Sequence, residues 1–333
     1  MAWPDYAVMP LSAQDIAAAL ALWPELTGGT ARLVNHSENH TFRIDTPARR
    51  SFSLRIHRRF YQSEAAIRSE LDWLTAIARE TDVPVPQPIP GLDGAVLQAF
   101  ATPDGGQRLA VLFPFLPGSE PDGAGRLDDL FTTLGRYAAM LHHHARTWAR
   151  PAGFERPTWQ AQSILAPDGL WGDWRLSPDV DAQSRVVLES LSDRLTERLA
   201  AYGTGADRFG LIHADMRLGN LLVEGDHVTL IDFDDCGFCW FAYDFAAAIS
   251  FHETRADMPA LRAAWCAGYA SVPNMTPPSA EVLETMAMLR RMALLAWIGS
   301  HGETQLAQTH RPGFAAGTLE LAQRYMRGRI WPD

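Results

Sequence analysis

Between two long stretches of helical periodicity lies a short run, Leu211 to Phe233, whose apolar residues fall in two blocks on either side of Glu224-Gly225-Asp226. The blocks, Leu221 to Val223 and Val228 to Ile231, are short, apolar and separated by a glycine-centred turn, which predicts two strands paired as a hairpin. Closing that hairpin dictates what its ends do. Asn220, entering the first strand, comes close to Asp232, leaving the second, and Asp215 sits on the loop just before them. Two oxygen ligands and a further carboxylate converging at strand ends make a site for a hard cation and a phosphoryl group.

The rest of the chain sets this hairpin in an α+β frame. Ala31 to Asn35 and Thr41 to Asp45 read as strands flanking the polar turn Ser37-Glu38-Asn39. Ser51 to His57 alternates Phe52, Leu54 and Ile56, the period of a half-buried strand. Ile67, Leu71, Leu74 and Ala78 form one face of a helix spanning about 63–80. Val96 to Phe100 and Arg108 to Phe113 are two further strands, and Phe113-Pro114-Phe115-Leu116-Pro117-Gly118 reads as a hinge stiffened by its prolines. Beyond it the spacing is helical near 127–141, 182–201, 258–270, 281–299 and 316–327. The expectation is a sheet-rich lobe over residues 1–114 and a larger, mainly helical lobe over 115–333.

Composition removes several function classes. A formal charge of −10 with no basic block argues against nucleic acid or an anionic membrane as partner. The most apolar helical stretch, Met286 to Gly299, is too short to span a bilayer and carries Arg290 and Arg291. Asp5 stands where a secretory leader needs basic residues, so a cytoplasmic location is expected. Three cysteines make no disulfide framework, and Cys236 and Cys239 lack the second pair that a zinc site needs. His142, His143 and His144 point in different directions on a helix and are read as packed or solvated. All 29 basic residues are arginine, so any mechanism that needs a lysine is excluded.

The run from His213 through Asp215 to Asn220, followed by the apolar strand ending in Asp232, resembles the catalytic core of the aminoglycoside phosphotransferase, choline kinase and homoserine kinase group. These enzymes are relatives of the eukaryotic protein kinases. The close match runs from Phe209 to Ser250, including Tyr243-Asp244-Phe245-Ala246, and weaker features extend it over nearly the whole chain. The resemblance implies a two-lobed protein-kinase-like fold and the transfer of a phosphoryl group from Mg-ATP to a hydroxyl. It implies that Asp215 orients the acceptor hydroxyl and takes its proton, while Asn220 and Asp232 hold magnesium. His213 would brace the loop, and Asp244 would tie it to the helical lobe.

Two departures stand out. Asp234 occupies the place of the glycine that follows Asp-Phe in protein kinases, which favours the small-molecule branch. Where the family places a strand lysine on the nucleotide phosphates, this chain has Arg55, on the face of its strand opposite Phe52, Leu54 and Ile56. Glu70 falls within the apolar stripe of the next helix, where a carboxylate needs a partner, and Arg55 is the expected one. Family position assigns Ser37 and Asn39 to the phosphates and the backbone around Phe113 and Phe115 to adenine. Pro114 has no N–H, so a neighbour must supply that donor.

For the acceptor the sequence offers Asp173, Trp171 and Trp174 in an irregular insertion, and Asp235, Trp240 and Tyr243 after the hairpin. Carboxylates beside aromatic faces suit a cationic amino alcohol or an aminoglycoside-like acceptor. The alternatives are a bacterial stress-response-type protein serine/threonine kinase and a non-catalytic pseudokinase.

Overall fold

The computed structural model describes residues 11–36 and 39–332. Asp5 in the N-terminal run, and Ser37 and Glu38 in the turn assigned to the phosphates, lie outside the described residues. Helix α1 (Ala13–Leu20) starts on a capping box: the Ser12 hydroxyl accepts from the Asp15 N–H at 3.1 Å while the Asp15 carboxylate accepts from the Ser12 N–H at 2.8 Å. Five antiparallel strands follow around one long helix: β1 (Thr30–His36), β2 (His40–Asp45), β3 (Ser51–Ile56), α2 (Glu64–Glu80), β4 (Leu97–Ala101) and β5 (Gln107–Pro114). Their order in the sheet is β1-β2-β3-β5-β4. Phe52, Leu54 and Ile56 point to the side packed by α1 and Trp23, whereas Leu97, Val111 and Phe113 join α2 in the larger core.

The second part of the chain is built on α3 (Asp128–Thr147), α4 (Ala161–Leu165), α5 (Ala182–Tyr202), β6 (Phe209–Ile212), β7 (Leu221–Glu224), β8 (His227–Leu230) and β9 (Gly237–Trp240). The short α6 (Tyr243–Ala248), then α7 (Met258–Ala270), α8 (Ala280–Ser300), α9 (Gln305–His310) and α10 (Phe314–Met326), complete it. Glycine decides how closely α3 and α7 approach. A Cβ on Gly135 would overlap the Trp265 carbonyl, and one on Gly268 would overlap that of Thr132, so neither position has room for alanine. The predicted hairpin forms as β7 and β8 in register Leu221↔Leu230 to Glu224↔His227, with Gly225 in the left-handed region at φ 60°.

Two residues of the expected hinge are strand. Phe113 and Pro114 belong to β5, and the Phe115 N–H still donates to the Ser51 carbonyl at 3.1 Å. The strand pairing of β6 with β9 was not anticipated, because the second strand runs through the Cys-x-x-Cys spacing. Both cysteines are buried and free, and burial pushes the Cys236 thiol up to about 12. Among the described residues no helix is long and apolar enough to cross a membrane.

Candidate active site

Strand β6 delivers the chain to Asp215 through Ala214, a non-glycine residue at φ 67°. That conformation is costly for alanine and persists because its surroundings fix it. Asp244, fully buried on α6, accepts from the Ala214 N–H at 2.8 Å and the His213 N–H at 3.4 Å. Asp244 is itself held by His142 Nε2 at 3.0 Å, whose Nδ1 meets the Tyr269 hydroxyl at 3.0 Å. The first of the three consecutive histidines is thus a buried support for the loop. His213 braces from the other side: its Nδ1 accepts from the Asp215 N–H at 3.2 Å, so Nε2 carries the hydrogen shared with the Ile231 carbonyl at 3.1 Å.

The Asp215 carboxylate meets three donors. Asn220 Nδ2 donates to it at 2.6 Å, Arg217 Nε at 3.2 Å, and Arg290 from α8 contacts the other oxygen. Burial raises the Asp215 pKa, but Arg290 and Arg217 outweigh it and hold the group below its ordinary value. Arg290 is a residue the sequence reading noticed without using. It is almost wholly buried, bonds the Ala214 carbonyl at 3.3 Å and the Ser250 hydroxyl at 3.1 Å, and lies over the rings of Trp171 and Tyr243. The signal was present: an arginine inside an apolar helical stretch needs a buried anion.

Asn220 and Asp232 stand at the two ends of the hairpin. The Asn220 amide nitrogen donates to both the backbone carbonyl and the carboxylate of Asp215, which leaves its side-chain oxygen as the group available to a cation. Asp232 sits at φ 63° and its side chain is 46% exposed, into the cleft beneath the sheet. Burial by the cleft walls raises its pKa, with Arg55 opposing and Asp215 and Glu70 adding to the rise. A carboxylate among other carboxylates, beside a pinned amide oxygen, is a donor set that fits magnesium or calcium.

Arg55 and Glu70 meet as expected. Arg55 Nη2 donates to Glu70 Oε1 at 2.6 Å, and Arg55 Nη1 lies 3.7 Å from Asp232. Asn39, expected at the phosphates, is held by two partners. Its Nδ2 donates to Asp234 at 2.9 Å and its Oδ1 accepts from the Arg58 N–H at 3.1 Å, so its side chain braces Asp234 at the wall of the cavity under the sheet. Gln62 joins the same brace through the Asp234 carbonyl at 2.8 Å. Arg156, another buried arginine that the sequence reading passed over, holds the Asp234 and Cys236 carbonyls. Burial, with Glu70 and Asp232 nearby, pushes Asp234 up to about 7 against the pull of Arg55 and Arg156.

Two cavities meet at this loop. One, of about 340 Å³, lies between the sheet and the hairpin and is lined by Arg55, Phe113, Phe115, Leu116, Leu222 and Asp232, among others. The other, of about 460 Å³, opens beyond Asp215 and is lined by Trp171, Asp235, Phe251, Arg290 and Trp297, among others. Of the acceptor residues expected from sequence, Asp235 and Trp171 line this second cavity. The rest do not. Asp173 caps the short turn of helix at 174–176 by accepting from the Arg175 N–H at 3.0 Å. Trp174 is fully buried against the Leu165 carbonyl, and Trp240 donates to the Gly203 carbonyl at 2.8 Å. Tyr243 is buried beneath Arg290. These side chains build the core, the commoner use of large aromatics.

A profile described as the phosphotransferase enzyme family matches residues 30–299. Over 217 residues the chain is 27% identical to amicoumacin kinase of Bacillus subtilis (strain 168), covering 65% of this chain and 61% of that protein. The chain spans about 61% of the length of the curated relatives it matches. Its fold superposes on that of a microcompartment-associated aminopropanol kinase with a TM-score of 0.86 and 39% identity, over 95% of this chain and 99% of the other. It also superposes on an amicoumacin kinase in complex with AMP-PNP, Ca2+ and Ami, at a TM-score of 0.74 and 20% identity, over 97% and 96% of the two chains. The antiparallel sheet, the helical part and the β7–β8 hairpin form the α+β, protein-kinase-like fold of these enzymes. A match that takes in all five strands of the sheet, most of the helical part and the loop bearing Asp215, Asn220 and Asp232 places the chain in the phosphotransferase enzyme family.

Proposed function

We propose that this chain is a cytoplasmic, magnesium-dependent kinase that moves the γ-phosphoryl group of ATP to the hydroxyl of a small amino alcohol. The observation that carries the reading is the position of Asp215, held by three donors on the wall of the cavity beyond the hairpin, next to the Arg217 and Asp232 that line both cavities. The nucleotide occupies the cavity between the sheet and the hairpin, whose upper wall is the part of the chain up to about residue 114, and the acceptor occupies the cavity beyond the hairpin. Arg55 takes phosphate oxygens with its guanidinium while Glu70 fixes it. Because the Phe115 N–H is engaged with Ser51 and Pro114 has none, the next donor along the backbone, Leu116, serves adenine. Asn220 and Asp232 hold magnesium, which neutralises charge on the phosphates.

In the transfer, the acceptor oxygen forms a bond to the γ-phosphorus as the bond to the bridging oxygen of ADP breaks. Asp215 accepts a hydrogen bond from the hydroxyl and takes its proton as the new bond forms. Its low pKa suits a loose transition state, in which the hydroxyl needs orientation more than early deprotonation. Asp235 and the rings of Trp171 and Trp297 provide the anionic and aromatic surroundings that an ammonium group seeks. The similarity to an aminopropanol kinase supports the same acceptor class.

The test is release of ADP from Mg-ATP in the presence of amino alcohols, aminoglycosides, neutral sugars and a generic protein substrate. Turnover with amino alcohols, and an acceptor KM raised more than the ATP KM by Asp235→Asn, is the expected result. Activity confined to neutral sugars or to protein serine refutes the acceptor class, and the absence of ADP release above the acceptor-free rate with every acceptor refutes the kinase.

A further inference from the structure

We propose that Arg217 is a catalytic residue that binds the transferring phosphoryl group, an inference that rests on the kinase reading above. Among the described residues, Arg217 is the basic side chain that lines both cavities. Arg55 lines only the cavity under the sheet and Arg290 only the one beyond it. The group in transfer crosses the boundary between the two, so a cation common to both walls stands beside its path.

The way Arg217 is held fits that task. Arg290 is 2% exposed and fixed by Ser250, Ala214 and Asp215, so it can only support the base. Arg217 is 21% exposed and its one hydrogen bond to a described residue runs from Nε to Asp215 at 3.2 Å. The terminal Nη1 and Nη2 are left to meet oxygens that arrive with a ligand. An arginine fork suits the charge spread over the three equatorial oxygens of a transferring phosphoryl group. Arg217 donates hydrogen bonds and loses no proton; the hydroxyl proton still passes to Asp215 and ADP leaves with the electron pair of the broken bond.

Gly219 leaves room for the guanidinium. A Cβ added there would overlap Arg217 Nη1, the far end of a flexible side chain, and Gly219 is not among the residues of positive φ. Alanine is therefore tolerated by the backbone at position 219 but displaces the guanidinium, which provides a second variant that leaves Arg217 in the sequence.

The experiment is calorimetric titration of the full chain with ADP and with AMP-PNP, both with magnesium. AMP-PNP carries the terminal phosphoryl group that ADP lacks, and neither measurement needs the acceptor. Arg217→Ala is expected to weaken AMP-PNP about 10–100-fold, the size of a lost hydrogen bond to a charged group, while ADP changes less than about twofold. Gly219→Ala should reproduce most of that selective loss, and Arg217→Lys should restore part of it. An arginine that merely positions Asp215 would leave the ratio of the two affinities unchanged, so equal losses for both nucleotides, or no loss for either, overturn the proposal. A wild-type chain that binds neither nucleotide overturns the kinase reading with it.

Discussion

Arg55 and Glu70 allow the strongest quantitative test, because one partner of the pair is completely enclosed. Glu70 has no exposed surface, receives Arg55 Nη2 at 2.6 Å, and has no hydrogen bond to its second oxygen among the described residues. Arg55→Met keeps the aliphatic stem and removes the charge, leaving a buried carboxylate without a cation. That change is expected to cost about 3–5 kcal/mol of folding stability. Glu70→Gln should cost less, since Arg55 retains Asp232 and Asp234 as anionic neighbours and opens onto the nucleotide cavity. The double variant should be more stable than Arg55→Met alone, with a coupling on the order of 1–3 kcal/mol, because the uncompensated carboxylate is gone. Urea unfolding followed by tryptophan fluorescence measures all three. Strictly additive losses, or Glu70→Gln as damaging as Arg55→Met, would show that the pair is not what holds Glu70 in the core.

Three further outcomes follow from the site. Asp215→Asn should preserve nucleotide affinity and lower turnover about 10²–10⁴-fold; Arg290 and Arg217 hold Asp215 below its ordinary range despite burial, and a variant with near-native turnover would remove it from the mechanism. Asp232→Ala should abolish the effect of magnesium on ATP affinity in titrations with and without the ion, and a surviving magnesium effect would remove Asp232 from the metal site. Asp234, raised from 3.8 to about 7 chiefly by burial, binds a proton in the folded chain that the unfolded chain has lost, so metal-free stability should fall as pH rises from about 4 to 7 and level off above. Asp234→Asn should flatten that slope, as read from urea midpoints at pH 5 and pH 8.

What the sequence revealed was periodic or local. The hairpin was legible because two short apolar blocks flank a glycine turn, and Asn220 and Asp232 follow from its closure alone. Arg55 and Glu70 were legible because a charge inside an apolar stripe must be answered from the facing strand. The family resemblance supplied the roles of His213 and Asp244, which no periodicity could give. The acceptor cavity was far less legible. Trp171 lines it while Trp174, three residues on, is buried elsewhere, because an irregular segment has no period from which a side chain's direction follows. Arg290 reaches Asp215 across 75 residues of chain, and only tertiary packing brings α8 to the loop.

A chain without lysine reaches a kinase-like site through arginines, and the difference is physical rather than nominal. Arg55 uses separate nitrogens, Nη2 toward Glu70 and Nη1 toward Asp232, while its planar face lies 5.6 Å from the centre of the Phe113 ring. An ammonium is a compact point charge and cannot reproduce those three directional contacts. Fixed from three sides, the guanidinium loses little further freedom when phosphate oxygens arrive, so less ordering accompanies binding. Arg290 fixes Asp215 in the same manner, through several partners at once. Both lobes therefore present their charges already oriented. Among the described residues Arg217 is the arginine that lines both cavities, and the transfer proposed above uses it there.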